Sequence, residues 1–543
     1  MSAAIHPSAQ VWSIAGNDSG GGAGLSADQR AAAALGVHLC PVVAAITAQN
    51  TCAVTRVQPV SADLLDAQLA ALAADLPADW PQATGHGPRL VIKTGLLGSP
   101  DLVAVVALWV DALRLRGPVA LVVDPVLGAS TGASFANAAT VAAYRRELLP
   151  RATLITPNVA EAARLLDCAA PTDLAEWPVL ARGLHLAGAQ AVCITGGDSP
   201  DHQGLVLDWI STPHASGWLA LPRVATAHHH GTGCTLASSA AAALALGFVA
   251  ADALVLAKMA TTHALQGGYA TGLGRGPVAA RSGLARHPAQ LPQLTWGEAL
   301  ELAPPLIEAA APVDLGLYAI VDSAERVAQV LQAGVRTVQL RIKTPAQPDA
   351  AWRDHLAEAI RLSVAACQPY GAQLYINDHW QLAHELGASA IHLGQEDLQA
   401  LGESGRAALR ATGLQLGISS HSLWELARAR TLAPAYIACG PVWPTLTKDM
   451  PWLPQGLDNL SWWVAMAGTP VVAIGGILTP EQATQAARSG ASAVCIVRGL
   501  GADPAQTVPT WQRAIAQGRA AARPPQPALP HASLTDHDAA FQR

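Results

Sequence analysis

Two α/β halves joined end to end are the fold class this sequence predicts: a mainly parallel, doubly wound sheet, then a (β/α)8 barrel of the TIM type. Three observations predict it. At 543 residues the chain is too long for one hydrophobic core. Short apolar strands alternate with helix-competent stretches, as in parallel sheets buried on both faces. The polar, chemistry-bearing residues gather at strand C-termini, where such folds hold their ligands.

Composition narrows the functional classes. Hydrophobic residues are 51% and charged residues 13%, too apolar a balance for extended disorder. Net charge is −6, and no Lys/Arg-rich run or aromatic-basic interleaving suits a nucleic acid. The eight cysteines form no CxxC pair and no Cys/His metal spacing, which predicts reduced thiols, a cytoplasmic location and no structural zinc. The first residues lack a basic segment followed by an apolar core, so no secretory signal is expected. The apolar run Thr235 to Ala257 is interrupted by Gly247 and Asp252, and a buried helix is expected there rather than a membrane span. Small-molecule substrates are the expected partners, and a homo-oligomer is compatible with the sequence.

In the first half, Val11 to Ala15 reads as a strand, residues 16–24 as a glycine-rich loop and Leu25 to Leu35 as a helix. Further apolar strands are expected at Pro41 to Thr47, Leu90 to Lys93, Leu121 to Val123, Thr153 to Ile155 and Ala191 to Thr195. Their ends carry Gln49-Asn50-Thr51, Lys93-Thr94-Gly95, Asp124, Asn158 with Glu161, and Thr195-Gly196-Gly197. Asn158 and Glu161 are spaced to share a helix's first turn and hold water on Mg²⁺, or to form an ordinary N-cap. The key stretch is His230-Gly231-Thr232-Gly233-Cys234, ahead of an Ala-rich helix. Gly231 and Gly233 let the chain turn tightly, and the helix N-terminus offers N–H groups and partial positive charge to a transferring phosphoryl group. Cys234 is placed to act as a base, its pKa expected to fall below about 8.5 at a helix N-terminus. The consecutive His228, His229 and His230 are not expected to bind metal, because alternate side chains of an extended segment point apart.

Residues 15–24 with Asp28, residues 48–51 and His230 to Cys234 together resemble the hydroxymethylpyrimidine/phosphomethylpyrimidine kinases, which are ribokinase-like, over Val11 to Pro277. The resemblance implies that Gly16, Asp28 and Gln49 contact a pyrimidine and that Cys234 stands where most ribokinase-like kinases carry an aspartate. It implies ATP as phosphoryl donor, with Mg²⁺, on the side of Asn158, Glu161, Thr195 and Gly197. Two residues depart from the pattern: Leu96 replaces a frequent methionine, and Thr195 replaces a lysine that contacts phosphate.

Domains are expected at 1–278 and 313–520, with a proline-punctuated linker at 279–312 and a disordered tail at 521–543. The alternative for the linker is a C-terminal helix of the first domain, with a helix-capable piece around Thr295 to Leu302. Eight barrel strands are expected at Gly316 to Val321, Thr337 to Ile342, Gln373 to Ile376, Ala390 to Leu393, Gln415 to Ile418, Tyr436 to Cys439, Val471 to Ile474 and Val494 to Val497. Gln339, Arg341 and Lys343 alternate, so all three are expected to face the barrel mouth. Asp378 and Asp397, after the third and fourth strands, form an acid pair suited to Mg²⁺. Thr445, Thr447 and Lys448 follow the sixth strand and Gly475-Gly476 the seventh, where barrels bind phosphate through backbone N–H groups.

Residues 339–343, Asn377-Asp378, residues 392–397 and 444–448 resemble thiamine phosphate synthase over Pro312 to Gly518. The resemblance implies Mg²⁺ at Asp378 and Asp397 and pyrophosphate contacts from Arg341, Lys343, Asn377 and Lys448. It also implies thiazole-phosphate contacts through Thr445, Thr447 and Gly476, with Ser419 touching the reacting groups. Arg498 departs from a serine. The expected function is therefore a bifunctional enzyme of thiamine biosynthesis. The alternatives are a pyridoxal-type vitamin kinase in the first half, and a thiazole tautomerase or a non-catalytic phosphate sensor in the second.

Overall fold

The computed structural model describes residues 9–77, 90–128, 135–200, 202–304, 314–445 and 451–534. The chain divides into two compact units, the first reaching to Ala285 and resuming over Gln290–Leu300, the second taking up Glu301–Ser533.

The first unit is built on a ten-stranded sheet: β1 (Gln10–Asp18), β2 (His38–Gln49), β3 (Val54–Pro59), β4 (Leu90–Thr94), β5 (Val119–Val123), β6 (Leu154–Ile155), β7 (Val192–Ile194), β8 (Leu205–Ser211), β9 (Ser216–Pro222) and β10 (Gln293–Leu294). Its order is β10-β9-β8-β7-β6-β5-β4-β1-β2-β3. The six strands expected from sequence are all present and pair in parallel. The antiparallel strands β3 and β8 to β10 extend both edges beyond what the sequence pattern predicted. Because β1 lies between β2 and β4, the chain leaves β1 in one direction and later returns on its other side. That reversal opens a crevice above the C-termini of β1 and β4, the general ligand position of doubly wound sheets. The helix Thr232–Ala245 packs on β1, β4 and β5 and aims its N-terminus at this crevice.

The second unit is a closed barrel of eight parallel strands: β11 (Gly316–Val321), β12 (Thr337–Leu340), β13 (Gln373–Asn377), β14 (Ala390–Leu393), β15 (Gln415–Ser420), β16 (Tyr436–Cys439), β17 (Val471–Ala473) and β18 (Ala493–Ile496). All eight expected strands are found. The interior is filled by Tyr318, Tyr375 and Tyr436 among Ala390, Ala438, Val472, Ala493 and Cys495. It is a packed core, with room for ligands at the mouth.

Three boundary expectations need correction. Thr295 to Leu302 is not helical: Gln293–Leu294 pairs with β9, and Thr295 Oγ1 accepts from the Trp218 N–H at 2.8 Å. The first unit therefore runs on to Leu300, well inside the expected linker. Glu301 already belongs to the second unit, ion-paired with Arg406 and Arg410 at 3.2 and 2.8 Å. Residues 305–313 lie outside the described set. The tail is not disordered over 521–534. Arg488 donates to the Ala522 carbonyl, and Asn459 exchanges two hydrogen bonds with the His531 backbone, at 3.0 and 2.8 Å. Ser533 Oγ donates to the His421 carbonyl. Composition suggested disorder, but these backbone groups find partners on the barrel.

Candidate active sites

In the first unit, two glycine turns close on each other at the C-terminal end of β1. Asp18 accepts N–H bonds from Gly20, Gly22 and Ala23 at 2.8 to 3.0 Å, shaping the first turn. His230 Nε2 reaches Asp18 at 3.1 Å and the Gln49 amide at 3.0 Å, tying that turn to the second. Burial disfavours the Asp18 carboxylate, yet the His230 bond and the backbone donors outweigh it and hold its pKa below the usual range. Gly231 starts the helix at φ 85°, and a Cβ there would stand 2.2 Å from the Gly22 carbonyl oxygen. No other residue fits that backbone and that approach.

Below the turns lies a charged centre. Lys93, at the end of β4, is fully buried and donates to both oxygens of Asp28 at 3.0 and 3.2 Å, with Asp124 at 3.5 Å. Burial works against the ammonium, but the two carboxylates outweigh it and raise the Lys93 pKa. Asp28 also accepts from Ser13 and Ser238 and is wholly enclosed. It does not line the cavity. The expected pyrimidine contact is thus corrected: this carboxylate holds Lys93, which does line it.

The cavity, about 750 Å³, is lined by Gly16, Gln49, Lys93, Asp124, Asn158, Glu161, Thr195, Gly197, Gly231, Gly233 and Cys234, so the other expected residues converge. Its size suits an organic substrate and a nucleotide phosphate chain. Asn158 and Glu161 form a reciprocal capping box at 2.9 and 3.0 Å, the ordinary N-cap the spacing also allowed. Burial and the nearby Asp124 push the Glu161 carboxyl up to about 8, and burial raises Asp124 as well. Asp124 Oδ2 is buried without a hydrogen bond. Its ion pair is with Lys93 at 3.5 Å, and a carboxylate oxygen without a hydrogen bond beside a second acid, Glu161, is a donor set that fits a hard divalent cation such as Mg²⁺. The expected lowering of the Cys234 pKa is overturned: burial pushes the thiol up to about 12 although Lys93 pulls the other way. Desolvation, with Asp28 and Asp124 adding to it, outweighs Lys93 and the Gly24 backbone hydrogen bond, the direction that favours the protonated thiol.

In the second unit, a cavity of about 580 Å³ opens at the C-terminal ends of the barrel strands. Gln339, Arg341, Asn377, Asp378, Asp397, Ser419, Thr445 and Gly476 line it. Lys343 does not line it: β12 ends at Leu340, so the two-residue alternation lapses and the lysine is exposed. Thr447 and Lys448 lie outside the described residues. Asp378 sits at φ 67° and Asp397 caps the Gly394 N–H at 3.0 Å; both carboxylates border one cavity, a pair suited to Mg²⁺. Gly475 and Gly476 have φ of 88° and 72°, and a Cβ on Gly476 would meet the Trp443 carbonyl at 2.4 Å. Arg498 borders the same cavity, adding a cation where a serine was expected. His392 and His421, which sequence reading left unassigned, also line it. His392 Nε2 meets Ser419 Oγ at 3.0 Å; burial first, then Arg341 and His421, push its pKa down to about 3.

Family comparison assigns both halves. The phosphomethylpyrimidine kinase model matches residues 18–279, and the thiamine monophosphate synthase model matches residues 317–500. The thiamine biosynthetic bifunctional enzyme of Arabidopsis thaliana, a chloroplastic protein, is 34% identical over 86% of this chain and 85% of its own. The chain belongs to the bifunctional thiamine biosynthetic enzymes. Its barrel alone is 44% identical to the thiamine-phosphate synthase of Rhizobium etli, over 37% of this chain and 96% of that protein. A pyridoxal kinase from Staphylococcus aureus, solved in complex with ADP, is 27% identical, covers 50% of this chain and 92% of that one, and superposes with a TM-score of 0.44. The bifunctional enzyme thus carries a kinase and a thiamine-phosphate synthase, both transferases. Among the described residues no helix is long and apolar enough to cross a membrane.

Proposed function

We propose that the first unit phosphorylates hydroxymethylpyrimidine and then its monophosphate with ATP, and that the barrel joins the resulting pyrophosphate ester to a thiazole phosphate, releasing pyrophosphate. The observation that carries this is the pairing of two cavities in one chain. One has two glycine turns and a helix N-terminus over a buried lysine; the other has paired acids, Arg341 and a glycine turn at a barrel mouth.

In the kinase cavity, Gly16 and Gln49 bind the pyrimidine, and the N-terminus of Thr232–Ala245 receives the phosphoryl group in motion. Lys93, fixed by Asp28 and Asp124, supplies the permanent cation there. Cys234 hydrogen-bonds the substrate hydroxyl as a thiol. Asn158, Glu161, Thr195 and Gly197 face the nucleotide phosphates. Asp124 and Glu161 would hold Mg²⁺, which supplies neutralising charge to the phosphates. In the barrel, Asp378 and Asp397 would hold Mg²⁺ against the pyrophosphate. Arg341, Asn377 and Lys448 bind the departing pyrophosphate; Thr445, Thr447 and Gly476, with Arg498 alongside, bind the thiazole phosphate. Gln339 orients the pyrimidine, and Ser419 meets the reacting groups. Eight unpaired cysteines suit a reducing compartment, and we place the protein in the cytoplasm.

The deciding experiment gives the whole chain the pyrimidine alcohol, ATP, Mg²⁺ and thiazole phosphate, and follows thiamine phosphate. Its formation supports both steps. Phosphorylation of a pyridoxal-type alcohol alone would overturn the first, and ligand binding without pyrophosphate release would overturn the second.

A further inference from the structure

Four buried side chains run in series from the barrel interior to its mouth. Tyr318 Oη lies 2.7 Å from Tyr436 Oη, Tyr436 Oη lies 2.8 Å from His392 Nδ1, and His392 Nε2 lies 3.0 Å from Ser419 Oγ. Only the last two members, His392 and Ser419, line the cavity. Each link has one proton, so the chain has two orderings. If Ser419 donated to His392, the Nδ1–H would donate to Tyr436 and Tyr436 to Tyr318. The Tyr318 proton would then need an acceptor. Tyr318 is 1% exposed, and its one hydrogen-bond partner among the described residues is Tyr436. A buried hydroxyl proton without an acceptor is disfavoured, so that ordering loses. In the opposite ordering Tyr318 donates to Tyr436, Tyr436 to Nδ1, and Nε2–H to Ser419. Every proton then has an acceptor, and the Ser419 hydroxyl has its own proton left over for the cavity. His392 is bonded to two hydroxyls and to no carboxylate, so nothing in the chain supports an imidazolium. Burial raises both tyrosine pKa values well above the ordinary range, so the hydroxyls stay protonated.

We propose that Tyr436, backed by Tyr318, fixes His392 as the Nε2–H tautomer and so makes Ser419 a hydrogen-bond donor toward the pyrimidine pyrophosphate. The inference rests on the synthase reading of the barrel. Tyr436 and His392 are positioning residues; Ser419 is the group that meets substrate. The donor direction matters because it matches Ser419 to an acceptor, a pyrophosphate oxygen or a pyrimidine ring nitrogen, and leaves it unsuited to pair with a second donor.

Tyr375 provides the control. Its ring packs against Tyr318 and Tyr436 at 5.8 and 5.0 Å, it is equally buried, and its hydroxyl is outside the relay. Long-range ¹⁵N–¹H spectra of the full chain with labelled histidine, the His392 signal identified by its loss in His392→Gln, should show the Nε2–H form. Tyr436→Phe should lose that single-tautomer signature and lower the condensation kcat roughly 10- to 100-fold, as removal of other outer-shell partners does, with a smaller change in KM for thiazole phosphate. Tyr375→Phe should keep both the tautomer and the rate. An Nδ1–H signal in the wild-type chain would overturn the proposal, and so would equal losses in Tyr436→Phe and Tyr375→Phe. A wild-type chain without condensation would sink the synthase reading instead; the tautomer spectrum needs no turnover and decides the proton ordering by itself.

Discussion

Cys234 and Glu161 show how burial decides the chemistry available to one residue. With its thiol pushed up to about 12, Cys234 has no thiolate population to titrate near neutrality. The pH profile of the phosphorylation kcat should therefore show no cysteine ionisation below about pH 9. Cys234→Ala should still lower that kcat by about 100-fold or more, because the substrate hydroxyl loses its partner, while pyrophosphate release by the barrel is unchanged. Equal phosphorylation rates in wild type and variant would remove the thiol from the reaction. Glu161 behaves as an acid whose folded pKa, about 8, lies above its unfolded value near 4.5. Between those values the native state holds a proton that the unfolded state has lost, so stability falls as pH rises through that window. In metal-free buffer, Glu161→Gln should flatten the decline in the kinase unit's melting temperature between pH 5 and 8. An unchanged slope would show that the carboxyl is not perturbed. Lys93 is the converse case, a cation that two acids require. Lys93→Met should strand Asp28 and Asp124 in a dry site and cost about 3 to 5 kcal/mol, read as loss of the kinase unit's transition before the barrel's.

At the scale of elements, the parts that sequence revealed are those with a periodic signal. Each barrel strand is an apolar run between a helix and a polar cluster, and β11, β14 and β16 begin and end where expected. β8 and β9 form a hairpin whose buried Asp208 breaks the apolar reading; its carboxylate is met by Lys258, fifty positions away at 2.7 Å, and by the Gly196 N–H at 2.8 Å. β10 is two residues long and takes its meaning from β9. Motif spacing found the glycine turns, yet could not show which acid faces ligand: Asp28 and Asp18 lie ten residues apart, and only packing puts the first beneath Lys93 and the second at the cavity wall. In the sequence Tyr318 and Tyr436 are only members of two apolar strands; their rings join the barrel core, and the relay is visible only from their oxygens. The turns themselves are testable. Gly231→Ala places a Cβ 2.2 Å from the Gly22 carbonyl at a φ that costs roughly 1 to 2 kcal/mol for alanine, and should separate the two turns. Phosphorylation should fall while the barrel reaction holds. The tail segment makes a similar case: Asn459→Ala removes the amide that grips His531, and trypsin should then cut at Arg519 faster than in the wild type. Equal cleavage rates would mean that other contacts hold the segment.

For the whole molecule, the consequence of the architecture is that two chemistries share a chain without sharing a residue. Every residue lining the kinase cavity belongs to the first unit, and every residue lining the barrel cavity belongs to the second. A high-energy pyrophosphate ester made in one must therefore cross to the other as a free or handed-over small molecule. Asp397→Asn takes one acid from the pair at the barrel mouth, where a charge-stabilising group is worth about 2.7 to 4 kcal/mol in the barrier, so condensation should fall by about 100- to 1000-fold. Phosphorylation should be untouched, since Asp397 lines the barrel cavity and is not among the residues that line the kinase cavity. Mixing Asp397→Asn with Cys234→Ala supplies one working kinase and one working barrel on different chains. If the ester diffuses between them, thiamine phosphate appears from the pyrimidine alcohol after a lag that shortens as the Cys234→Ala concentration rises. If each variant alone is inactive and the mixture is too, while the Cys234→Ala chain still condenses added pyrophosphate ester, then the ester passes only within one chain.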